Sequence, residues 1–235
     1  MTQSRIRILD AARGLAVILM TAYHILFDLV EFADFPPKIM NHPLTEALHL
    51  SAYIFIFMAG ICCNLSKNNL RRGIRVFAAA LALTAVTCIL QMPILFGVLH
   101  LLGLCMILYG LFPRFFERLP IVPTVLVCAV LFTVTKILSE NTLVESRFLW
   151  MFGFRYRGFS SADYYPLLPW IFLFTAGTVT GQAIVSRRFP DWFYKLRCGM
   201  LEGIGRRAFL IYLVHQPIIY GVLYVIFAII RSENA

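Results

Sequence analysis

Apolar stretches of membrane-crossing length recur along the whole chain, and no other feature restricts its possible folds as strongly. A hydrocarbon core about 30 Å thick requires about 20 predominantly apolar residues in helical form. With that ruler the sequence divides into seven expected spans, at 13–32, 44–66, 73–92, 94–112, 120–138, 165–185 and 207–230. Lipid offers no hydrogen bonds to a bare backbone, so each span must satisfy its own N–H and C=O groups as a helix. The expected fold class is therefore all-α: a polytopic membrane helix bundle of about seven transmembrane helices, read as one domain over residues 1–235. Gln91, Met92 and Pro93 are expected to form the tight turn between the third and fourth spans, because proline lacks the N–H that a helix interior uses.

Composition excludes a water-soluble globular domain: 60% of the residues are hydrophobic and 14% charged, with a mean hydropathy of +0.79. The net charge of +9 is a question of distribution. For an N-terminus on the cytoplasmic side, fifteen of the 21 Lys and Arg fall on cytoplasmic segments and six on the other side. The positive-inside rule then favours N-in, C-out, and the excess charge calls for no nucleic acid partner. The first apolar stretch follows "RIRILDAAR" and lacks a small-residue cleavage pattern, so it reads as a retained span. Six cysteines show no CxxC and no zinc spacing, and are expected to be small core residues. There is no phosphate-cradling loop, dinucleotide glycine pattern or serine elbow.

Ionisable residues inside the spans are the candidates for chemistry. An aspartate at the centre of a membrane helix costs roughly 2.5–3.5 kcal/mol, so it faces a bundle interior or a cavity and has a partner. In "RGLAVILMTAYHILFDL", His24 and Asp28 are four residues apart and share one helical face. A carboxylate beside an imidazole suits a general base, and equally a buried polar pair that joins two helices. Arg13 lies on nearly the same face, eleven residues and roughly 16 Å before His24, where it is either a headgroup anchor or a phosphate holder. His100, in "FGVLHLLG", enters its span about six residues from the other side, flanked by Gly97 and Gly103, which allow close helix approach. His215 lies about eight residues into the last span, followed by Gln216 and by Pro217, whose disruption of the helix should free carbonyl groups.

Two further segments stand apart. "HPLTEALH" places His42, Glu46 and His49 on one face, but no further ligand accompanies them, so an interfacial helix start is expected and no metal. The connection "SENTLVESRFLWMFGFRYRGFSSADYYP" mixes aromatics with arginines, as a functional outer loop or an interfacial lid would.

The stretches "RIRILDAARGLAVILMTAYHILFDL", "FIFMAGICCNL", "RRGIRVF", "FGVLHLLG", "YYPLLPWIFLFTAGTVTG" and "GRRAFLIYLVHQPII" occur in an order that resembles the small bacterial members of the heparan-alpha-glucosaminide N-acetyltransferase catalytic-domain family, over about Arg5 to Ile230. The spacing of Arg13 and His24 is also similar to that of the wider transmembrane acyltransferases. The resemblance implies a bacterial inner-membrane acetyltransferase that takes acetyl from cytoplasmic acetyl-CoA and passes it to an amino or hydroxyl group of a sugar or glycan on the outer side. It implies His24 as general base or acyl relay, Asp28 as its orienting partner, and Arg13 near the coenzyme A phosphates. It adds His100 to the catalytic group and places Trp170, His215 and Gln216 with the acyl donor. The chain is much shorter than the lysosomal member, whose large non-cytoplasmic domain it is expected to lack. Two other classes stay open: a proton-coupled transporter with a relay through His24, Asp28 and His100, and a haem protein with histidine axial ligands. A homo-oligomer is also left open.

Overall fold

A computed structural model describes residues 6–32 and 35–233, and among them every regular element is helical. Arg5, where the family resemblance begins and one of the lysines and arginines counted as cytoplasmic, lies outside them. The α-helices are α1 (Arg7–Phe32), α2 (Pro43–His49), α3 (Ser51–Cys63), α4 (Asn69–Ile89), α5 (Val98–Leu111), α6 (Pro113–Glu117), α7 (Ile121–Asn141), α8 (Leu167–Val185), α9 (Asp191–Lys195), α10 (Gly199–Arg206) and α11 (Ala208–Glu233). Among the described residues, six segments are long and apolar enough to cross a membrane: Arg7–Glu31, Pro43–Cys63, Asn69–Ile89, Ile121–Asn141, Leu167–Val185 and Ala208–Ile229. The protein is an integral membrane protein of helical class.

The segment at 94–112 differs from its expectation. Helix α5 has 14 residues, about 21 Å of rise, which is short of a hydrocarbon core about 30 Å thick. The residues before it are committed elsewhere. The N–H of Ala162 donates to the Pro93 carbonyl at 3.1 Å and that of Tyr165 to the Phe96 carbonyl at 2.8 Å, while the Leu95 N–H donates to Ser161 Oγ at 3.1 Å. The Leu95 N–H, given to Ser161, cannot also close a helical hydrogen bond. The break after α4 falls where the sequence places it: Gln91 turns left-handed at φ +60°, and the Met92 N–H returns to the Thr87 carbonyl at 3.0 Å.

The chain forms two compact units, Met1–Phe55 with Pro190–Ala235, and Ile56–Phe189. In the first, α1 packs on α2, α10 and α11. Helix α1 begins six residues before the expected start, and its charged leader joins the helix because Arg13 pairs with Asp10 one turn earlier at 3.0 Å. Gly14 and Gly205 set the crossing of α1 and α10, since a Cβ on Gly14 would meet the Leu201 carbonyl and one on Gly205 the Asp10 carbonyl. In the second unit α4 packs on α5 and α7 on α8. The close approach expected at Gly103 is present: a Cβ there would stand 2.7 Å from the Phe77 backbone nitrogen.

Candidate functional site

Helix α1 runs unbroken through both His24 and Asp28, so the shared face expected of them exists. The His24 ring takes up a backbone partner on its own helix, with Nδ1 2.9 Å from the Met20 carbonyl. A carbonyl oxygen only accepts, so Nδ1 carries the hydrogen and the neutral ring keeps its lone pair on Nε2. Nε2 is therefore the basic atom of His24, which is half-buried.

The partner of Asp28 comes from the other end of the sequence. The carboxylate is 1% exposed, and both of its oxygens accept from Gln216 Nε2 at 3.0 Å. Gln216 is on α11, 188 residues away. Asp28 was expected to hold His24 directly. Its hydrogen bonds instead go to α11, and the two α1 residues are near neighbours on one face.

Next to Gln216, His215 repeats the arrangement of His24. Its Nδ1 donates to the Tyr212 carbonyl at 2.6 Å, which again leaves Nε2 with the lone pair. His215 is 8% exposed, and its Nε2, like Gln216 Oε1, is buried without a hydrogen-bond partner. The rings of His24 and His215 lie 4.9 Å apart, centroid to centroid, and nearly perpendicular at 78°. Pro217 follows inside α11, and the exposed apolar stretch beyond it begins with Ile218. Aromatic rings surround the pair. Tyr23 meets His24 edge-on at 5.6 Å and His49 at 5.2 Å, Tyr212 lies 5.6 Å from His215, and Phe55 stacks on Tyr212.

One unit thus brings together four of the expected site residues: His24, Asp28, His215 and Gln216. They present two imidazole lone pairs, one amide oxygen and a fixed carboxylate within apolar walls, where charge is weakly screened. Such a set can take a proton from a hydroxyl or amine and hold the resulting positive charge. Arg13 lies eleven residues before His24 on the same helix, with its side chain 27% exposed and paired with the buried carboxylate of Asp10. The pairing was readable from the i, i+3 spacing of Asp10 and Arg13, whereas Tyr23 and Tyr212 carried no sequence signal beyond being aromatic, and His49 stood out only for sharing a face with His42 and Glu46.

His100 and Trp170 belong to the second unit. The Gly97 N–H donates to His100 Nδ1 at 3.2 Å, so the ring hydrogen is on Nε2, which meets Thr84 Oγ1 at 3.1 Å. Thr84 in turn donates to the Ile94 carbonyl at 2.5 Å. Both ring nitrogens are committed to fastening the start of α5, where the Val98 N–H also donates to Asp163 at 3.0 Å. His100 was expected in the catalytic group; in this arrangement both of its nitrogens already have partners. Trp170 is buried on α8, edge-on to Phe132 at 5.5 Å and 5.0 Å from Tyr165. His42 Nδ1 accepts from the Leu44 N–H at 3.2 Å and so caps α2.

Comparison with known proteins adds one match. The family profile described as "Heparan-alpha-glucosaminide N-acetyltransferase, catalytic" matches residues 5–217. No curated protein and no solved structure matches the chain.

Proposed function

The chain belongs to the heparan-alpha-glucosaminide N-acetyltransferase catalytic family, and from that premise we propose that it moves an acetyl group from acetyl-CoA to an amino or hydroxyl group of a sugar or glycan. In this reading the donor binds from the cytoplasm and the acceptor from the outer side of a bacterial inner membrane. The N-terminus is cytoplasmic and the C-terminus outside, with residues 94–97 and helix α5 together completing a seventh crossing. The whole chain acts as one acetyltransferase domain, since the family match covers residues of both compact units.

One observation carries the chemistry: a histidine with its basic nitrogen uncommitted stands within a membrane helix, one turn from a carboxylate held at both oxygens. His24 Nε2 removes the acceptor proton as the acceptor attacks the thioester carbonyl. Asp28, oriented by Gln216, offsets the positive charge that appears on the imidazole. General base catalysis of this kind is worth about 10²–10⁴ in rate. The acetyl group is transferred directly, and the proton leaves with coenzyme A as its thiol. Arg13, nearer the start of α1, faces the donor phosphates with Asp10 steadying its guanidinium.

The test is transfer of labelled acetyl from acetyl-CoA to amino and neutral sugars by the purified full chain in lipid nanodiscs. Labelled product from the wild type and its loss in His24→Ala are the expected results. Transfer that survives His24→Ala unchanged overturns the assignment of the base.

A further inference from the structure

The reaction just proposed uses one imidazole, and the structure presents two. His24 and His215 come from α1 and α11, yet they are prepared in the same way: each Nδ1 is tied to a carbonyl of its own helix, at 2.9 and 2.6 Å, and each neutral ring keeps its lone pair on Nε2. A histidine that only joins helices spends both nitrogens. His215, a residue 8% exposed, leaves Nε2 buried and without a partner, a costly arrangement unless a ligand or a proton comes to it. The neighbouring Gln216 Oε1 is likewise unpartnered. With ring centroids 4.9 Å apart, two imidazolium charges would repel strongly in an apolar setting, so the pair holds one proton at a time. One fixed carboxylate, Asp28, supplies the single negative charge that such a state requires.

We infer that His215 is a second catalytic residue, the one that receives through Nε2, by way of one bridging water, the proton His24 takes from the acceptor and delivers it to the departing thiolate. This rests on the acetyltransferase reading and adds a residue to it. The step balances. The acceptor heteroatom bonds to the acetyl carbon as its proton passes to His24 Nε2 and the carbonyl electron pair moves onto oxygen. The carbonyl re-forms, the C–S bond breaks with its electron pair on sulfur, and the proton, now on His215, passes to that sulfur. The products are the acetylated acceptor and coenzyme A thiol, with both rings neutral again.

The experiment uses the full chain in nanodiscs, labelled acetyl-CoA as donor and glucosamine, galactosamine and glucose as probe acceptors. His215→Gln keeps a polar side chain but carries no transferable proton, and its kcat is expected to fall about a hundredfold with KM for acetyl-CoA unchanged. In His215→Ala, added imidazole is expected to restore part of the lost rate. Wild-type kcat in His215→Gln, or a defect confined to KM for acetyl-CoA, overturns the relay while leaving the acetyltransferase reading in place. A wild type that transfers acetyl to none of the probes overturns that reading, and the relay with it. Where neither variant folds, wild-type rates in mixtures of H2O and D2O decide: a curved dependence on deuterium fraction supports two proton positions, and a linear one overturns them.

Discussion

His215 and His100 are both more than nine-tenths buried in apolar helices, at 8% and 3% exposure, yet they keep opposite hydrogen-bond accounts. At His100 a backbone N–H fills one nitrogen and a threonine the other, and the ring closes the first turn of α5. At His215 one nitrogen is filled and the second faces buried space with no partner. Residue type and burial are the same, so neither identifies the chemistry. What separates a fastening histidine from a reactive one is whether the backbone has already claimed both nitrogens.

The largest test of that contrast sets His24→Ala against His100→Ala. Loss of the base in the first unit is expected to cut acetyl transfer by about 10²–10⁴ with little change in melting temperature. His100→Ala should do the reverse. It strands the Gly97 N–H and the Thr84 hydroxyl network, costing about 1–3 kcal/mol, visible in thermal unfolding, while kcat per folded molecule stays near wild type. His100→Gln sharpens the point, because a glutamine at the third helical position can reach back to the Gly97 N–H and should recover most of that stability. A large fall in kcat for His100→Gln in a fully folded sample would break the distinction between the two histidines.

Backbone contact is the next lever. Gly14 lies one residue after Arg13 on the helix that carries His24, and any side chain there meets the Leu201 carbonyl. Gly14→Ala is expected to destabilise the protein by about 1–3 kcal/mol and to lower transfer as well, since α1 must shift against α10. Melting temperature and kcat measured together check this; unchanged values would mean that the crossing is not tight.

The smallest effect belongs to the connection in the second unit. Tyr164 donates its hydroxyl to the Trp150 carbonyl at 2.6 Å, and burial pushes its pKa up to about 12, against the opposing pull of Arg155. The folded state therefore favours the neutral phenol. This contribution is full below the ordinary tyrosine value of about 10 and is lost as pH rises through about 12. Thermal melts between those limits should show a decline in the wild type that Tyr164→Phe flattens. A decline of the same slope in Tyr164→Phe would assign it to another group.

Much of the helical plan was legible because hydropathy in lipid is a local property: among the described residues, six of the seven expected spans correspond to helical segments of sufficient length. The exception, 94–112, has the apolar composition of a span, but Pro93 and Phe96 give their carbonyls to Ala162 and Tyr165, about 70 residues on. No window of composition reports such pairing. The site divides in the same way. His24, Asp28 and their common face follow from a spacing of four on one helix, and the Asp10–Arg13 pair from a spacing of three. The bond from Gln216 to Asp28 spans 188 residues, and its existence depends on how α11 lies against α1.

By itself the sequence determined that the chain is a membrane-embedded helical protein, that ionisable groups stand inside its spans, and that Arg13, His24 and Asp28 line one helix, because length, hydropathy and helical period act over a few turns. Tertiary structure alone decided that α11 supplies the partner of Asp28, that His215 faces His24 with a nitrogen to spare, and that His100 has none. Those outcomes depend on which groups meet across helices, and a hydrogen bond formed there removes or leaves the lone pair on which proton transfer depends.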